Sequence, residues 1–199
     1  MTDTNNEKKK LLLVQKLSKE NSPKLPYHNF SHAIRVLRAV RKLVKLEHIS
    51  RNEKFLLETA ALLHDVVYVV GRKDNEDKSA EFARKNLHAV GYGAKQITEI
   101  ANLILATKSR LVKPKNKLQK ILRDADTFNV STENFFAEGN KIKKEIGIES
   151  ELVWADKQMR FLETHEYYTN SANNLLSAGK RKNIDSLKAM QAILMEVEK

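Results

Sequence analysis

Five residues of this chain have side chains that could bind a divalent cation: His28, His32, His64, Asp65 and Asp126. Imidazole nitrogens and carboxylate oxygens are common ligands of such metals in proteins. The neighbours His64 and Asp65 stand in an apolar run over residues 60–70, where an unpaired charge would be costly to bury. One His or Asp in such a run is commonly a structural residue that a neighbour satisfies. The ordered set, His then His-Asp then Asp, is a stronger signal than any single member.

The rest of the sequence predicts helices that would position these residues. Six glycines and three prolines in 199 residues leave few of the turns that a β-protein needs, and apolar residues recur at helical spacing. The fold class is therefore predicted to be all-α, as a single compact helical bundle. We predict helices from His32 onward and over 7–20, 51–70, 75–90, 94–109, 115–129, 131–146, 150–177 and 181–197.

Two of these helices would carry candidate ligands. Asn29 or Ser31 can cap the helix that contains His32. The row of that helix predicted to face inward consists of His32, Val36, Val40, Leu43 and Val44. The helix over 51–70, ended by Gly71, would carry His64 and Asp65, whose side chains would point about 100° apart around the axis. A cation above that helix surface could still accept both side chains.

Composition limits the class of protein. The chain has no cysteine, so a metal would have to be held by His and carboxylate groups. No segment approaches the roughly 20 apolar residues of a membrane helix, and residues 1–10 lack the apolar core of a signal peptide. We therefore expect a cytoplasmic protein. We expect one domain over 1–199, with a metal-site core over about 25–130 and the helices of 131–199 packed on it.

The net charge of +11 has two interpretations. It could reflect lysine-rich helix surfaces that face water and bind no partner. It could instead create a positive field that gathers phosphorylated substrates or polyanions. The sequence leaves both open.

Four segments resemble motifs of the HD superfamily of metal-dependent phosphohydrolases. Residues 27–33, Tyr-His-Asn-Phe-Ser-His-Ala, with Val36 repeat the Tyr-His-Asn-x-x-His-Ala-x-x-Val pattern of its cyclic-nucleotide phosphodiesterases. Residues 60–65, Ala-Ala-Leu-Leu-His-Asp, look like the helix with the doublet that names the superfamily. Residues 74–80, Asp-Asn-Glu-Asp-Lys-Ser-Ala, resemble the Asn-Glu-x-x-Ser-Ala element of bacterial members, and residues 121–126, Ile-Leu-Arg-Asp-Ala-Asp, resemble the last metal motif.

This resemblance implies a metal site formed by His32, His64, Asp65 and Asp126. Two nitrogens and two oxygens suit manganese, iron, nickel, cobalt or zinc better than magnesium. One or two ions are expected, since the phosphodiesterases that the chain resembles hold two. The metal would polarise a phosphoryl oxygen and lower the pKa of bound water, which Asp65 would orient or deprotonate. His28 would donate a proton to the leaving oxygen, as the matching His does in the phosphodiesterases, or would merely fill its loop.

Residues around the motifs have more than one interpretation. Glu76 and Asp77 could support the metal or hold substrate, or could be exposed acids at the start of a helix. Lys78, Lys108 and Arg110 are candidate phosphate contacts. Arg110 also stands where some bacterial relatives have a His, which leaves a second metal ion open.

Departures from the family's motifs leave the substrate undefined. Tyr68 and Val69 stand where the superfamily's alarmone hydrolases carry Glu-Asp, and Tyr68 also replaces the Glu of its 5′-nucleotidases. The His-Pro-Gly sequence of the cyclic-nucleotide phosphodiesterases and the Gly-Tyr-Pro sequence of the cyclic-di-GMP enzymes are absent. The sequence thus argues against alarmone hydrolysis without selecting another substrate.

The expected function is hydrolysis of a phosphomonoester or phosphodiester, of a nucleotide or another small metabolite. The alternative is a non-catalytic module that keeps the fold and binds nucleotide or nucleic acid as a sensor. The complete ligand set favours the enzyme, whereas the basic charge and the missing substrate motifs favour the module. The expected partner is a small phosphorylated substrate, with nucleic acid as a second option and no membrane; the sequence does not define an oligomeric state.

Overall fold

The computed structural model describes residues 2–108 and 113–197, which form nine α-helices and one short 3-10 helix. The helices are α1 (Thr2–Asn21), α2 (Phe30–Leu46), α3 (Arg51–Leu63), α4 (Asn75–Asn86), α5 (Ala94–Leu105), α6 (Lys117–Asp126), the 3-10 helix (Phe128–Ser131), α7 (Phe135–Glu145), α8 (Glu151–Thr164) and α9 (Asn170–Val197). These residues contain no β-strand, which confirms the all-α fold class. Within the same ranges no helix is both long and apolar enough to cross a membrane.

Two hydrophobic clusters hold the helices together. The larger cluster contains the buried faces of α1 to α6 and the first turns of α9. The inward row of α2 lies there as predicted, with Val36, Val40, Leu43 and Val44 all buried. The smaller cluster joins the 3-10 helix, α7, α8 and the later turns of α9. Helix α9 therefore packs on both clusters. The assignment of residues 1–199 to one domain stays a prediction.

The predicted helix over 51–70 is wrong beyond Leu63. The chain leaves the helix there and forms a loop over residues 64–74, in which Gly71 has a φ of +82°. Two side chains of α4 bind the loop's backbone. The Ser79 hydroxyl accepts a hydrogen bond from Val67 N at 3.1 Å, and the Asn75 side chain accepts one from Val69 N at 2.9 Å. These contacts replace the helical hydrogen bonds of the apolar run.

The predicted boundary between the helices over 150–177 and 181–197 is also wrong. The chain leaves α8 at Thr164, and α9 begins at Asn170 and continues through Gly179. The Asp124 carboxylate holds the break, because it accepts hydrogen bonds from the backbone N–H groups of Tyr168 and Thr169 at 2.8 Å each. The other helices lie where predicted, with ends that differ by a few residues.

Gly179 allows α9 to approach the 3-10 helix closely. A Cβ atom at this position would lie 2.1 Å from the backbone oxygen of Ser131. Backbone cannot move aside as a flexible side chain can, so the contact requires glycine.

We predict that Gly179→Ala destabilises the protein by about 1–3 kcal/mol, because the methyl group overpacks this contact. In an open helix the same change would stabilise by about 1 kcal/mol, so the sign of the effect is diagnostic. Urea unfolding would measure it. Ser186→Ala, at an exposed position of α9, is the control and should stay within about 0.5 kcal/mol of wild type. A more stable Gly179→Ala protein would contradict the close approach.

Candidate metal centre

The first turn of α2 positions His32. Asn29 is the residue that caps this helix, and its Oδ1 atom accepts hydrogen bonds from the N–H groups of Ser31 at 2.9 Å and His32 at 3.2 Å. The Asn29 amide also donates to the backbone oxygen of Leu25 at 2.8 Å, so the cap is tied to the preceding loop. The residue His32 as a whole is 2% exposed. Its position is therefore determined by the start of the helix.

His64 and Asp65 lie at the end of α3 and not in its middle, as the predicted helix over 51–70 implied. His64 is the C-cap residue with helical dihedral angles, and Asp65 follows at the start of the loop. The Nδ1 atom of His64 lies 3.0 Å from the backbone oxygen of Ala61. A carbonyl oxygen can only accept, so Nδ1 carries the hydrogen and the Nε2 atom of the neutral ring presents a lone pair.

Asp126 is the last residue of α6, and it faces the same point as the other three groups. Its Oδ1 atom lies 3.1 Å from His32 Nε2 and 3.3 Å from His64 Nε2. Asp124, two residues earlier, points away toward the break between α8 and α9. Asp126, and not Asp124, therefore joins the cluster.

The structure brings together all four residues that the sequence predicted as metal ligands. One nitrogen or oxygen atom from each of His32, His64, Asp65 and Asp126 lies within 4.8 Å of the others. The two Nε2 atoms face each other at 3.1 Å, and Asp65 Oδ2 lies 3.4 Å from His32 Nε2 and 3.1 Å from His64 Nε2. Two imidazole nitrogens and two carboxylates that face one point are a donor set that a divalent cation can bind. The donor set thus fits a divalent metal.

The four groups also shift each other's pKa values. Burial disfavours the charged imidazole, but Asp126 and Asp65 outweigh it and raise the pKa of His32. They raise the pKa of His64 well above its ordinary value in the same way. Burial would raise the pKa values of Asp65 and Asp126, but the two imidazoles hold both below the usual carboxyl range. Without a cation, these shifts favour protons on the imidazoles over protons on the carboxylates, and a metal would compete with those protons.

His28 lies outside this cluster, and its ring is fixed by two contacts. The Nδ1 atom bonds to the side chain of Glu145, at the end of α7. The ring stacks on Tyr68 with centroids 3.6 Å apart and planes 11° apart. Burial and the nearby Asp65 charge raise the pKa of Tyr68 to about 12, so Tyr68 remains a neutral phenol.

Glu145 holds the loop before α2 as well as the His28 ring. Its Oε2 atom accepts hydrogen bonds from the backbone N–H groups of Tyr27 at 2.9 Å and His28 at 3.0 Å. Burial would raise the pKa of Glu145, but these bonds and the His28 ring lower it. Glu145 could not be identified from the sequence, because no local motif links α7 to a loop more than 110 residues earlier.

Two cavities open on the cluster. The main cavity has a volume of 480 Å³, and His28, Asp65, Tyr68, Glu76 and Asp126 line the end near the cluster. Its far end is lined by side chains of α7 and α8, among them Ile142, Trp154, Gln158 and Phe161. The side cavity, of 240 Å³, lies along α2 and shares His32 and Asp126 with the main cavity. A ligand at the cluster could therefore extend in either direction.

The other candidates from the sequence occupy different places. Glu76 is half-buried and lines the main cavity, where burial and the Asp65 charge raise its pKa. Asp77 is half-exposed and pairs with Lys108, and Lys78 pairs with Glu81 at 3.2 Å on the surface. Arg110 lies outside the described residues.

Comparison with known proteins identifies the family. The HD-domain family model matches residues 29–130, just over half of the chain. The chain belongs to the HD-domain family. A search of curated proteins found none that matches it. As HD domains bind divalent metals, membership agrees with the donor set described above.

Solved structures with the same fold include two bacterial proteins. YpgQ of Bacillus subtilis, solved in complex with ADP, is 18% identical with a TM-score of 0.72, over 94% of this chain and 96% of that chain. A protein of Lactobacillus plantarum is 20% identical with a TM-score of 0.68, over 92% and 97%. LmjPDEB1, in complex with IBMX, is 15% identical with a TM-score of 0.56, over 98% and 83%. At these identities the likeness establishes the fold.

We predict that the purified HD-domain protein carries a transition metal and that His64→Ala/Asp65→Ala loses it. The change removes one nitrogen and one oxygen ligand, which leaves too few donors to hold the ion. Elemental analysis would measure the metal, and circular dichroism would verify the fold. His88→Ala/Asp185→Ala, which changes two exposed residues of the same types, should keep the metal. Equal metal in both double variants would contradict the assignment.

We also predict that metal binding releases protons and that the metal affinity depends on pH. The raised pKa values of His32 and His64 mean that a cation must displace protons from the rings. Affinity should therefore rise as the pH rises through those pKa values and fall as it decreases. Calorimetry in buffers of different ionisation enthalpy counts the protons. Binding without proton release at pH 7 would show that the rings do not hold them.

Proposed function

We propose that this HD-domain protein is a metal-dependent phosphohydrolase that cleaves a phosphate ester of a nucleotide or another small metabolite. One observation carries the proposal: His32, Asp65 and Asp126 of the cluster line the same cavity as an oriented His28. An ester phosphate at the cluster would lie beside a group that can protonate its leaving oxygen. A binding module would need no such oriented imidazole.

His32, His64, Asp65 and Asp126 would hold the ion in this proposal. Their two nitrogens and two oxygens suit manganese, iron, nickel, cobalt or zinc, and the proposal needs only one ion. When bound, such a metal polarises a phosphoryl oxygen and makes a coordinated water a better nucleophile. Four protein ligands leave room for water and substrate in an octahedral sphere.

Asp65 has a second task in the proposal. Its Oδ2 atom faces the two imidazoles, and the residue lines the main cavity. We assign to its other oxygen the orientation of the attacking water and acceptance of the proton that the water loses. A carboxylate whose pKa is held low accepts a proton weakly, so orientation is the larger part of this role.

His28 is the proposed general acid. Glu145 bonds to its Nδ1 atom, so the proton for the leaving oxygen would come from Nε2. The bond to Glu145 fixes the orientation of the ring, and the stack with Tyr68 restricts its rotation. Glu145 and Tyr68 are positioning residues in this scheme. In this scheme Asp65 accepts one proton from the water and His28 gives one proton to the ester oxygen, so the protons balance.

The far end of the main cavity suits a planar group. Trp154, Phe161 and Phe135 supply aromatic surface there, and Gln158 supplies an amide. Proteins with this fold have been solved with ADP, in YpgQ, and with IBMX, in LmjPDEB1. A nucleotide is therefore the first substrate class to test, and a cytoplasmic location remains the expectation from the sequence.

We predict that His28→Ala lowers turnover by about 10²- to 10⁴-fold while the metal content is unchanged. The loss should be smaller for a nitrophenyl phosphate ester than for an alkyl ester, because a good leaving oxygen needs less protonation. Steady-state rates with manganese on both ester types would measure this difference. His88→Ala, at an exposed His, should keep full activity.

Three other results of these measurements would change the proposal. A metal content that falls together with activity would make His28 a ligand. Equal losses on both esters at full metal content would remove the proton-donor role. A wild-type protein that binds nucleotides and hydrolyses no phosphomonoester, cyclic nucleotide or dinucleotide would instead be a sensor module.

A further inference from the structure

We propose that the side cavity is a subsite for additional phosphate groups of the substrate, beyond the phosphate that reacts. This inference deepens the proposed function and rests on it in one respect, namely that the reacting phosphate lies at the metal centre. At 240 Å³ the side cavity is smaller than the roughly 300–1,000 Å³ of a complete small-molecule site. Because it shares His32 and Asp126 with the main cavity, it suits one part of a ligand whose remainder lies elsewhere.

The charges that face the side cavity leave a positive excess. Arg35, Arg38 and Lys42 line it, together with the acids Glu138 and Asp126. Arg35 pairs with Glu138 at 2.8 Å, and Asp126 belongs to the metal cluster. Arg38 and Lys42 are exposed, and neither pairs with a carboxylate among residues 4–108 and 113–196. Two cations beside a metal centre are a suitable environment for phosphate oxygens.

The spacing on α2 makes these cations successive neighbours. His32, Arg35, Arg38 and Lys42 are separated by three, three and four residues, so each is adjacent to the next on the helix surface, and all four line the side cavity. Arg38 and Lys42 lie about 9 and 15 Å from His32 along the axis. Helical side chains lean toward the N-terminus, which brings both charged groups back toward the metal centre. The Lys42 ammonium lies over the Phe128 ring, 5.5 Å from its centre. A phosphate chain that begins at the metal would meet these cations in turn.

The start of α7 adds polar groups to the opposite wall. Asn134 precedes this helix and lines the side cavity, and its side chain makes no capping hydrogen bond. The amide can therefore donate to a ligand, beside the positive end of the helix dipole. Arg38, Lys42 and Asn134 together favour a compact, multiply charged anion such as a diphosphate or triphosphate chain.

The test compares two nucleotides that differ only in their phosphates. Calorimetry, with Mn²⁺ at one concentration in both solutions, would measure binding of AMP and of a non-hydrolysable ATP analogue. Wild type should bind the triphosphate about 10- to 100-fold more tightly than AMP. Arg38→Ala/Lys42→Ala should reduce this ratio to about threefold or less, through weaker binding of the triphosphate. Both residues are exposed, so the variant should fold, and its melting temperature would verify this.

Lys182→Ala/Lys188→Ala is the matched control. It removes the same charge from two exposed positions of α9 that line neither cavity, and should keep the wild-type ratio. A wild-type ratio near one, or an unchanged ratio in the Arg38 and Lys42 variant, would overturn the subsite. Because binding needs no turnover, the preference could persist in a protein that hydrolyses no ester, which would refute the proposed function alone. Ester hydrolysis without the preference would refute the subsite alone.

Discussion

The convergence of two imidazoles and two carboxylates on one point is the constraint on which the rest of the structure depends. His32 and His64 are almost fully buried, and such groups are costly to desolvate unless a partner or a metal compensates. Three helices of the larger hydrophobic cluster supply the geometry. Each ligand stands at a helix end, since α2 begins just before His32, α3 ends just before His64 and α6 ends at Asp126. Helix ends are also where the chain turns into loops, and those loops leave space for the two cavities.

The proposed chemistry depends on a second part of the chain. The family model covers all four residues of the cluster, but His28 and Glu145 both lie outside it. Glu145 closes α7, which packs in the smaller hydrophobic cluster, and it binds the loop that leads into α2. Helices α7 and α8 also line the far end of the main cavity. A change in these helices would therefore alter the lining of the main cavity and the orientation of His28 without touching the four residues of the cluster.

The sequence predicted the parts of the site that local patterns encode. The inward row of α2 follows from apolar spacing and the four cluster residues from the motifs, whereas the cap was predicted only as Asn29 or Ser31 and the structure shows Asn29. The end of α3 could not be predicted, because residues 66–70 are apolar and their backbone is bound by Ser79 and Asn75 of another helix. The break between α8 and α9 was missed for the same reason, since Asp124 holds it from a distance. Glu145 shares no motif with His28, so only the folded chain brings them together.

The net charge of +11 acquires a more specific meaning from the arrangement of the site. At the near end of the main cavity the charged groups are mostly acidic, with Asp65, Glu76 and Asp126 around the cluster. A phosphate could approach these groups only when a cation offsets them, so anion binding and metal binding are coupled there. The side cavity has an excess of positive charge instead, because Arg38 and Lys42 line it and pair with no carboxylate among residues 4–108 and 113–196. If the proposed subsite holds, the part of the basic surface that matters for phosphate binding is where α2 leads away from His32.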